Sequence, residues 1–169
     1  MCGKRPERVE VILHLESYYF IIMYISVNLD EECQIIINSR CIIMIKGTGI
    51  DIVRVDRIKD IITRWHNKFL EKVFTEEERE YCDDKPCPAQ HYAARFAAKE
   101  AAFKMLGSGM RDVSWHDINI KKDQLGKPLV ELTGNAAQKA DKMGIKKIHI
   151  SLSHEKEYAV AQLIGEGGL

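Results

Sequence analysis

Four charged residues crowd into one ten-residue run, Arg95-Phe96-Ala97-Ala98-Lys99-Glu100-Ala101-Ala102-Phe103-Lys104. Glu100 and Lys104 are one helical turn apart and attract each other. Arg95 and Lys99 are also one turn apart, but their like charges repel unless an anion comes between them. Two arrangements satisfy this spacing. In one the cations gather at an anion site; in the other Glu100 and Lys104 pair at a core edge while Arg95 and Lys99 are simply solvated. At about 100° per residue, Ala93, Phe96, Ala97 and Phe103 share a face with Glu100 and Lys104. The two charges therefore sit among aromatics rather than opposite them, and the helix alone leaves both arrangements open.

Positioning these groups requires a long helix, and the sequence supplies one. Alanines and straight-chain residues favour it, Pro88 suits its first turn, and Gly107-Ser108-Gly109 stops it. Ahead of it, Met44 to Ile52 suits a strand with Gly47, Gly49 and Asp51 on one face and Thr48, Ile50 and Ile52 on the other. Interior glycine weakens a strand, so the two glycines imply a ligand beside the carboxylate, a packed helix or a bulge. Val55, Ile58, Ile62 and Trp65 then recur at helical spacing and predict a buried face, with Arg57 and Arg64 on the solvated side. Those arginines either grip an acidic partner or only keep the helix soluble. Thr75 and Glu78 form a capping box for a short helix to Tyr81.

Beyond Gly109 the period changes to two. Ile118 and Ile120 alternate with polar residues, and Leu125-Gly126-Lys127-Pro128 turns the chain into Leu129 to Leu132, which predicts a hairpin. Thr133 caps a helix through Lys142 that Gly144 ends. Ile148, Ile150 and Leu152 mark a strand, His154 to Glu157 a turn, and Tyr158 to Ile164 a last strand, with Gly165 to Gly168 expected to fray. The order is α+β.

The chain has 169 residues, 46% hydrophobic and 30% charged, which suits a soluble domain with a real core. Twenty-five basic residues balance 25 acidic ones, so no global field marks the chain for nucleic acid or an anionic membrane. Five cysteines, with no Cys-x-x-Cys, argue for reduced thiols in a cytoplasmic protein rather than a disulfide framework or zinc site. Residues 1 to 43 carry isoleucine-rich runs without a clear period, and do not read as a domain beyond an added strand. Their apolar run, Ser17 to Leu29, is too short to span a bilayer, and their acids fit no signal peptide. The expected boundary is therefore an extension over 1–43 and a folded domain over 44–169, with translation beginning at Met44.

Four pieces stand out in order: Gly47-Thr48-Gly49-Ile50-Asp51 followed by Arg57, Phe96-Ala97-Ala98-Lys99-Glu100 with Lys104, Gly126-Lys127-Pro128, and Ser151-Leu152-Ser153-His154. Each motif alone is weak, but the ordered set closely resembles the holo-acyl-carrier-protein synthases, a 4'-phosphopantetheinyl transferase family, over nearly all of 44–169. The resemblance implies a small α+β fold, an antiparallel sheet packed on a long central helix. It implies transfer of the 4'-phosphopantetheine arm of coenzyme A to a serine of apo acyl carrier protein, leaving adenosine 3',5'-bisphosphate. It also implies a homotrimer with sites shared between neighbours.

On that resemblance Asp51 and Glu100 are the metal ligands, and two carboxylates suit Mg²⁺, which keeps waters and takes further oxygens from a pyrophosphate. Lys104 is the catalytic cation and a coenzyme A contact, and His154 a second contact. Arg95 and Lys99 are further coenzyme A candidates, though each could pair with an acid elsewhere. Arg57 and Arg64 would meet the acidic carrier protein. The resemblance leaves open whether Glu100, a water on the cation or another group takes the serine proton. Two other readings keep these residues: a noncatalytic module for coenzyme A or carrier protein, and a Mg²⁺-dependent phosphohydrolase.

Overall fold

A computed structural model describes residues 8–12, 22–26, 35–36, 43–65, 67–109 and 112–168. The chain divides into two compact units, Met1–Ile42 and Ile43–Leu169. In the first, β1 (Arg8–Ile12), β2 (Ile22–Ser26) and β3 (Ile35–Ile36) pair antiparallel in that order.

The second unit is α+β. It runs β4 (Met44–Arg54), α1 (Val55–Trp65), α2 (Asn67–Val73), α3 (Glu76–Asp83), α4 (Pro88–Leu106), β5 (Ile118–Lys122), β6 (Pro128–Leu132), α5 (Gly134–Lys142), β7 (Lys147–His154) and β8 (Tyr158–Gly167). A three-stranded antiparallel sheet in the order β4-β8-β7 lies against α4, and β5 and β6 form the expected hairpin. Asp123 closes the hairpin turn by accepting from the Leu125 and Lys127 amides.

The long helix sits where the alanine-rich run placed it, with Pro88 in its first turn and Gly107 in the left-handed conformation at its end (φ 61°). Its burial differs from the one-faced expectation. Sheet, hairpin and shorter helices surround it, so Arg95 and Lys99 are buried along with Ala93, Ala97, Ala98, Ala101, Ala102 and Phe103. Small side chains are what permit such close approach. A Cβ added at Gly49 would stand 1.9 Å from the Ala101 carbonyl oxygen, and one at Gly47 would stand 2.5 Å from that of Met105. A packed helix, not ligand space, therefore accounts for the two glycines.

Three further expectations shift. Trp65 does not join the buried face of α1: it is 62% exposed, because the helix ends there and the chain turns into α2, a seven-residue helix too short to leave a periodic signature. Gly165 and Gly167 do not fray. The β8 strand continues through Gly167, pairing Gly165 with Gly47 and Gly167 with Met44, and Gly167 lies against the Gly144 carbonyl, where no side chain fits. Thr133 stands at the N-cap of α5 without a side-chain cap bond.

The Thr75–Glu78 capping box forms as expected and extends further than the sequence suggested. Glu78, fully buried, accepts from the Thr75 and Ile120 amides at 2.9 Å each and pairs with the Lys99 amine at 2.9 Å. Lys99 donates its remaining protons to the carbonyls of Trp115 and Ile118. One ion pair thus joins α3, α4 and the start of the hairpin. Removing either partner strands the other charge in the core. Lys99→Met should cost about 3–5 kcal/mol in urea unfolding, and the Glu78→Gln/Lys99→Met double variant less than the sum of the singles. Equal additivity would show that the two do not act as a pair.

Candidate active site

The register of β4 against α4 sets the site. Two strand residues advance about 6.6 Å and four helical residues about 6 Å, so successive inward positions of the strand keep step with successive turns of the helix. Gly47 meets Met105 and Gly49 meets Ala101. The next inward residue is Asp51, which arrives at the turn carrying Glu100.

Lys104 bridges the two elements. Its ammonium, half-exposed, donates to the Ile50 carbonyl at 2.8 Å and to Asp51 Oδ1 at 2.9 Å. Its direct acidic partner is therefore Asp51 and not Glu100, one turn away on its own helix. Strand approach supplies a closer carboxylate than the local spacing does. Glu100 holds its proton more tightly than an ordinary carboxyl: burial is the main cause and the Asp51 carboxylate the second, with Lys104 and Arg57 pulling the other way. Arg57 is exposed near the start of α1, so the helix that follows Asp51 directly brings its charge to the same site.

A second group of charges lies elsewhere on α4. Arg95 stacks its guanidinium 3.9 Å from the centre of the Tyr81 ring, and the amines of Lys85 and Lys122 lie 4.6 and 4.7 Å from that ring. His91 meets Tyr81 edge-on at 5.9 Å and His154 at 5.2 Å. Burial pushes the Tyr81 hydroxyl up, yet Lys122, Arg95 and Lys85 outweigh it and bring the group below its usual value. Burial and then His154, Arg95, Lys122 and Lys85 hold His91 below its usual value too. The Arg95 Nε is buried without a hydrogen-bond partner. Cations held together around an unsatisfied donor form a place prepared for an anion.

Of the residues singled out in the sequence, Asp51, Glu100 and Lys104 thus converge, and Arg95 and His154 meet in the cationic cluster. Lys99 belongs to neither; its three donors are spent in the core. Arg64 lies exposed towards the far end of α1. Tyr81, Lys85, His91 and Lys122 were missed. They come from α3, the segment after it, α4 and β5 and form no contiguous motif, and only the position of Tyr81 at the end of the capped helix hinted at it.

Asp51 and Glu100 fit a hard divalent cation that keeps waters, two carboxylates being too few for a complete protein cage. Among the described residues no three His, Cys, Asp or Glu side chains converge, so the remaining oxygens around such an ion would come from water or a bound substrate.

Residues 47–163 match the 4'-phosphopantetheinyl transferase superfamily, and the chain belongs to it. Within that superfamily the similarity is to holo-[acyl-carrier-protein] synthases. The enzyme of that name from Halothermothrix orenii is 46% identical over 125 residues, which span 74% of this chain and all of the relative. The synthase structure from Neisseria meningitidis superposes with a TM-score of 0.67 at 33% identity, covering 72% of this chain and 98% of its own. That from Helicobacter pylori, a complex with coenzyme A, gives 0.62 at 34% identity over 70% and 98%.

Two titrations test these electrostatics. With divalent cations removed, the Glu100 carboxyl should titrate by NMR above the ordinary 4.5, and Asp51→Asn should lower its midpoint. Because the folded state binds this proton more tightly than the unfolded chain, the group contributes stability at low pH that is lost as pH rises through its elevated midpoint. A midpoint at or below 4.5 would contradict the like-charge geometry. In the cationic cluster, adenosine 3',5'-bisphosphate should raise the His91 midpoint, since an added anion favours imidazolium; no shift on saturation would place the anion elsewhere.

Proposed function

We propose that residues 44–169 catalyse transfer of 4'-phosphopantetheine from coenzyme A to a serine of apo acyl carrier protein. The serine hydroxyl oxygen attacks the pantetheine-bearing phosphorus, the bond from that phosphorus to the bridging oxygen breaks, and adenosine 3',5'-bisphosphate leaves as the serine loses its proton. The carrying observation is the convergence of Asp51, Glu100 and Lys104 where α4 crosses β4.

Asp51 and Glu100 would hold Mg²⁺, whose charge, when bound, offsets that of the pyrophosphate oxygens. Their mutual repulsion favours a cation between them. Lys104, already paired with Asp51, would offer its ammonium to charge growing on the leaving group. Arg95 and His154, with His91, Lys85 and Lys122 around them, would take an outlying phosphate of coenzyme A. Arg57 and Arg64 present positive charge to the acidic carrier along α1.

The homotrimer with shared sites is part of this reading. Arg95 and Lys104 are nine residues apart, about 13 Å along the helix and half a turn round it, so the cationic cluster and the carboxylates face different ways on one chain. The outward face of β4 also leaves Ile50 and Ile52 exposed at 58% and 65%, a surface suited to a neighbouring copy. The reaction belongs in the cytoplasm, where coenzyme A and reduced thiols such as Cys82 and Cys87 are found; among the described residues no helix is long and apolar enough to cross a membrane.

Intact mass of an apo acyl carrier protein after incubation with this protein, coenzyme A and Mg²⁺ tests the proposal. The carrier should gain one phosphopantetheine, and Glu100→Ala should slow that gain by about a hundredfold or more. Coenzyme A binding without transfer would favour the noncatalytic module, and phosphate release to water the hydrolase.

A further inference from the structure

Two contacts between α3 and α4 follow one another: Glu78 with Lys99 and then, three residues on along α3 and four back along α4, Tyr81 with Arg95. Both cations are buried, Lys99 fully and Arg95 at 4% exposure. They are held in different ways. Glu78 neutralises Lys99 and, with the carbonyls of Trp115 and Ile118, takes its three protons. Tyr81 instead offers the face of its ring, 3.9 Å from the guanidinium, which attracts the charge without cancelling it or accepting a hydrogen bond. Among the described residues Arg95 forms no ion pair, and its buried Nε has no partner. Where a carboxylate would have made a second structural pair, the ring keeps a buried guanidinium charged and oriented.

The same ring organises its neighbours. The amine of Lys122, from β5, lies 4.7 Å from its centre, and that of Lys85, itself paired with Asp84 at 3.1 Å, lies 4.6 Å away. His91 meets the ring edge-on and carries the contact to His154. Glu78 and Cys82, both buried on α3, fix the turn from which Tyr81 projects.

We propose that Tyr81 is a positioning residue for the 3'-phosphate of coenzyme A, holding Arg95 by its face so that the edge of the guanidinium stays free for the phosphate oxygens. The inference rests on reading this cluster as part of a coenzyme A site. The pyrophosphate belongs with a cation at Asp51 and Glu100, so the phosphate left for a separate cationic group is the 3'-phosphate, which the bisphosphate product retains. An acid in place of Tyr81 would compete with that phosphate for the same donors, and a ring does not.

Calorimetric binding of coenzyme A and of 3'-dephospho-coenzyme A, with Mg²⁺ present, tests the role. The wild-type protein should bind coenzyme A about tenfold or more tightly than the dephospho compound. Tyr81→Leu, which fills the space without a ring face, should weaken coenzyme A by about tenfold and leave the dephospho compound within about twofold, and Tyr81→Phe should restore the preference. In an Arg95→Met background Tyr81→Leu should change coenzyme A affinity little, because it acts through Arg95. Equal weakening of both compounds by Tyr81→Leu would make the residue merely structural and overturn the proposal. So would an undiminished effect in the Arg95→Met background. Equal wild-type affinity for the two compounds, with carrier modification still observed, overturns this inference and leaves the transferase reading standing. Binding of neither compound, with no transfer, ends both.

Discussion

Everything at the site depends on how closely a helix backbone lies on a strand backbone. Gly47 and Gly49 have no room for a β-carbon because the carbonyls of Met105 and Ala101 occupy that space. The alanines of α4 make the same concession from the other side. Larger side chains would force the elements apart, since a core filled to crystal-like density has nowhere to put them. The short separation lets a lysine of the helix bond both the strand's aspartate and the carbonyl beside it. The glycines and alanines carry no charge, yet they set the distance over which the charges act.

The charged residues of α4 divide by what surrounds them. Lys99 is the costly kind: a fully buried ammonium is tolerable only because a carboxylate and two carbonyls take its three donors. Burial opposes its charged form and Glu78 restores part of that loss. Arg95 is buried too, but among other cations and with one donor unused, a state that favours an incoming anion. Glu100 and Lys104 keep contact with solvent and with each other's field. A charge paired in the core, a buried charge with an unused donor and two charges facing Asp51 thus occupy one helix, separated by rotation about its axis.

The β4–α1 junction ties the exposed arginines of α1 to the strand that carries Asp51. No loop intervenes between Arg54 and Val55, so the strand that supplies Asp51 is rigidly continued by the helix that presents Arg57 and Arg64. In the reaction proposed here, recognition on α1 and chemistry at Asp51 would be coupled through a few residues of backbone, a short path for aligning a hydroxyl on a protein substrate with a phosphorus.

The sequence by itself determined the local structure: the length and stop of α4, the capping box at Thr75, the hairpin, and the alternation that puts Gly47, Gly49 and Asp51 on one face. These depend on neighbours a few residues apart, whose geometry the backbone enforces. The ordered motifs also carried the family and the three residues that converge. What only the tertiary structure decided was the partner of each charge. Spacing within one helix made Glu100 the natural partner of Lys104 and set Arg95 against Lys99, whereas folding brought Asp51 to Lys104, Glu78 to Lys99 and Tyr81 to Arg95. It likewise left Trp65 in water where periodicity buried it. Electrostatic attraction and burial act through space, and over the 53 residues that separate Asp51 from Lys104 the chain order carries no distance.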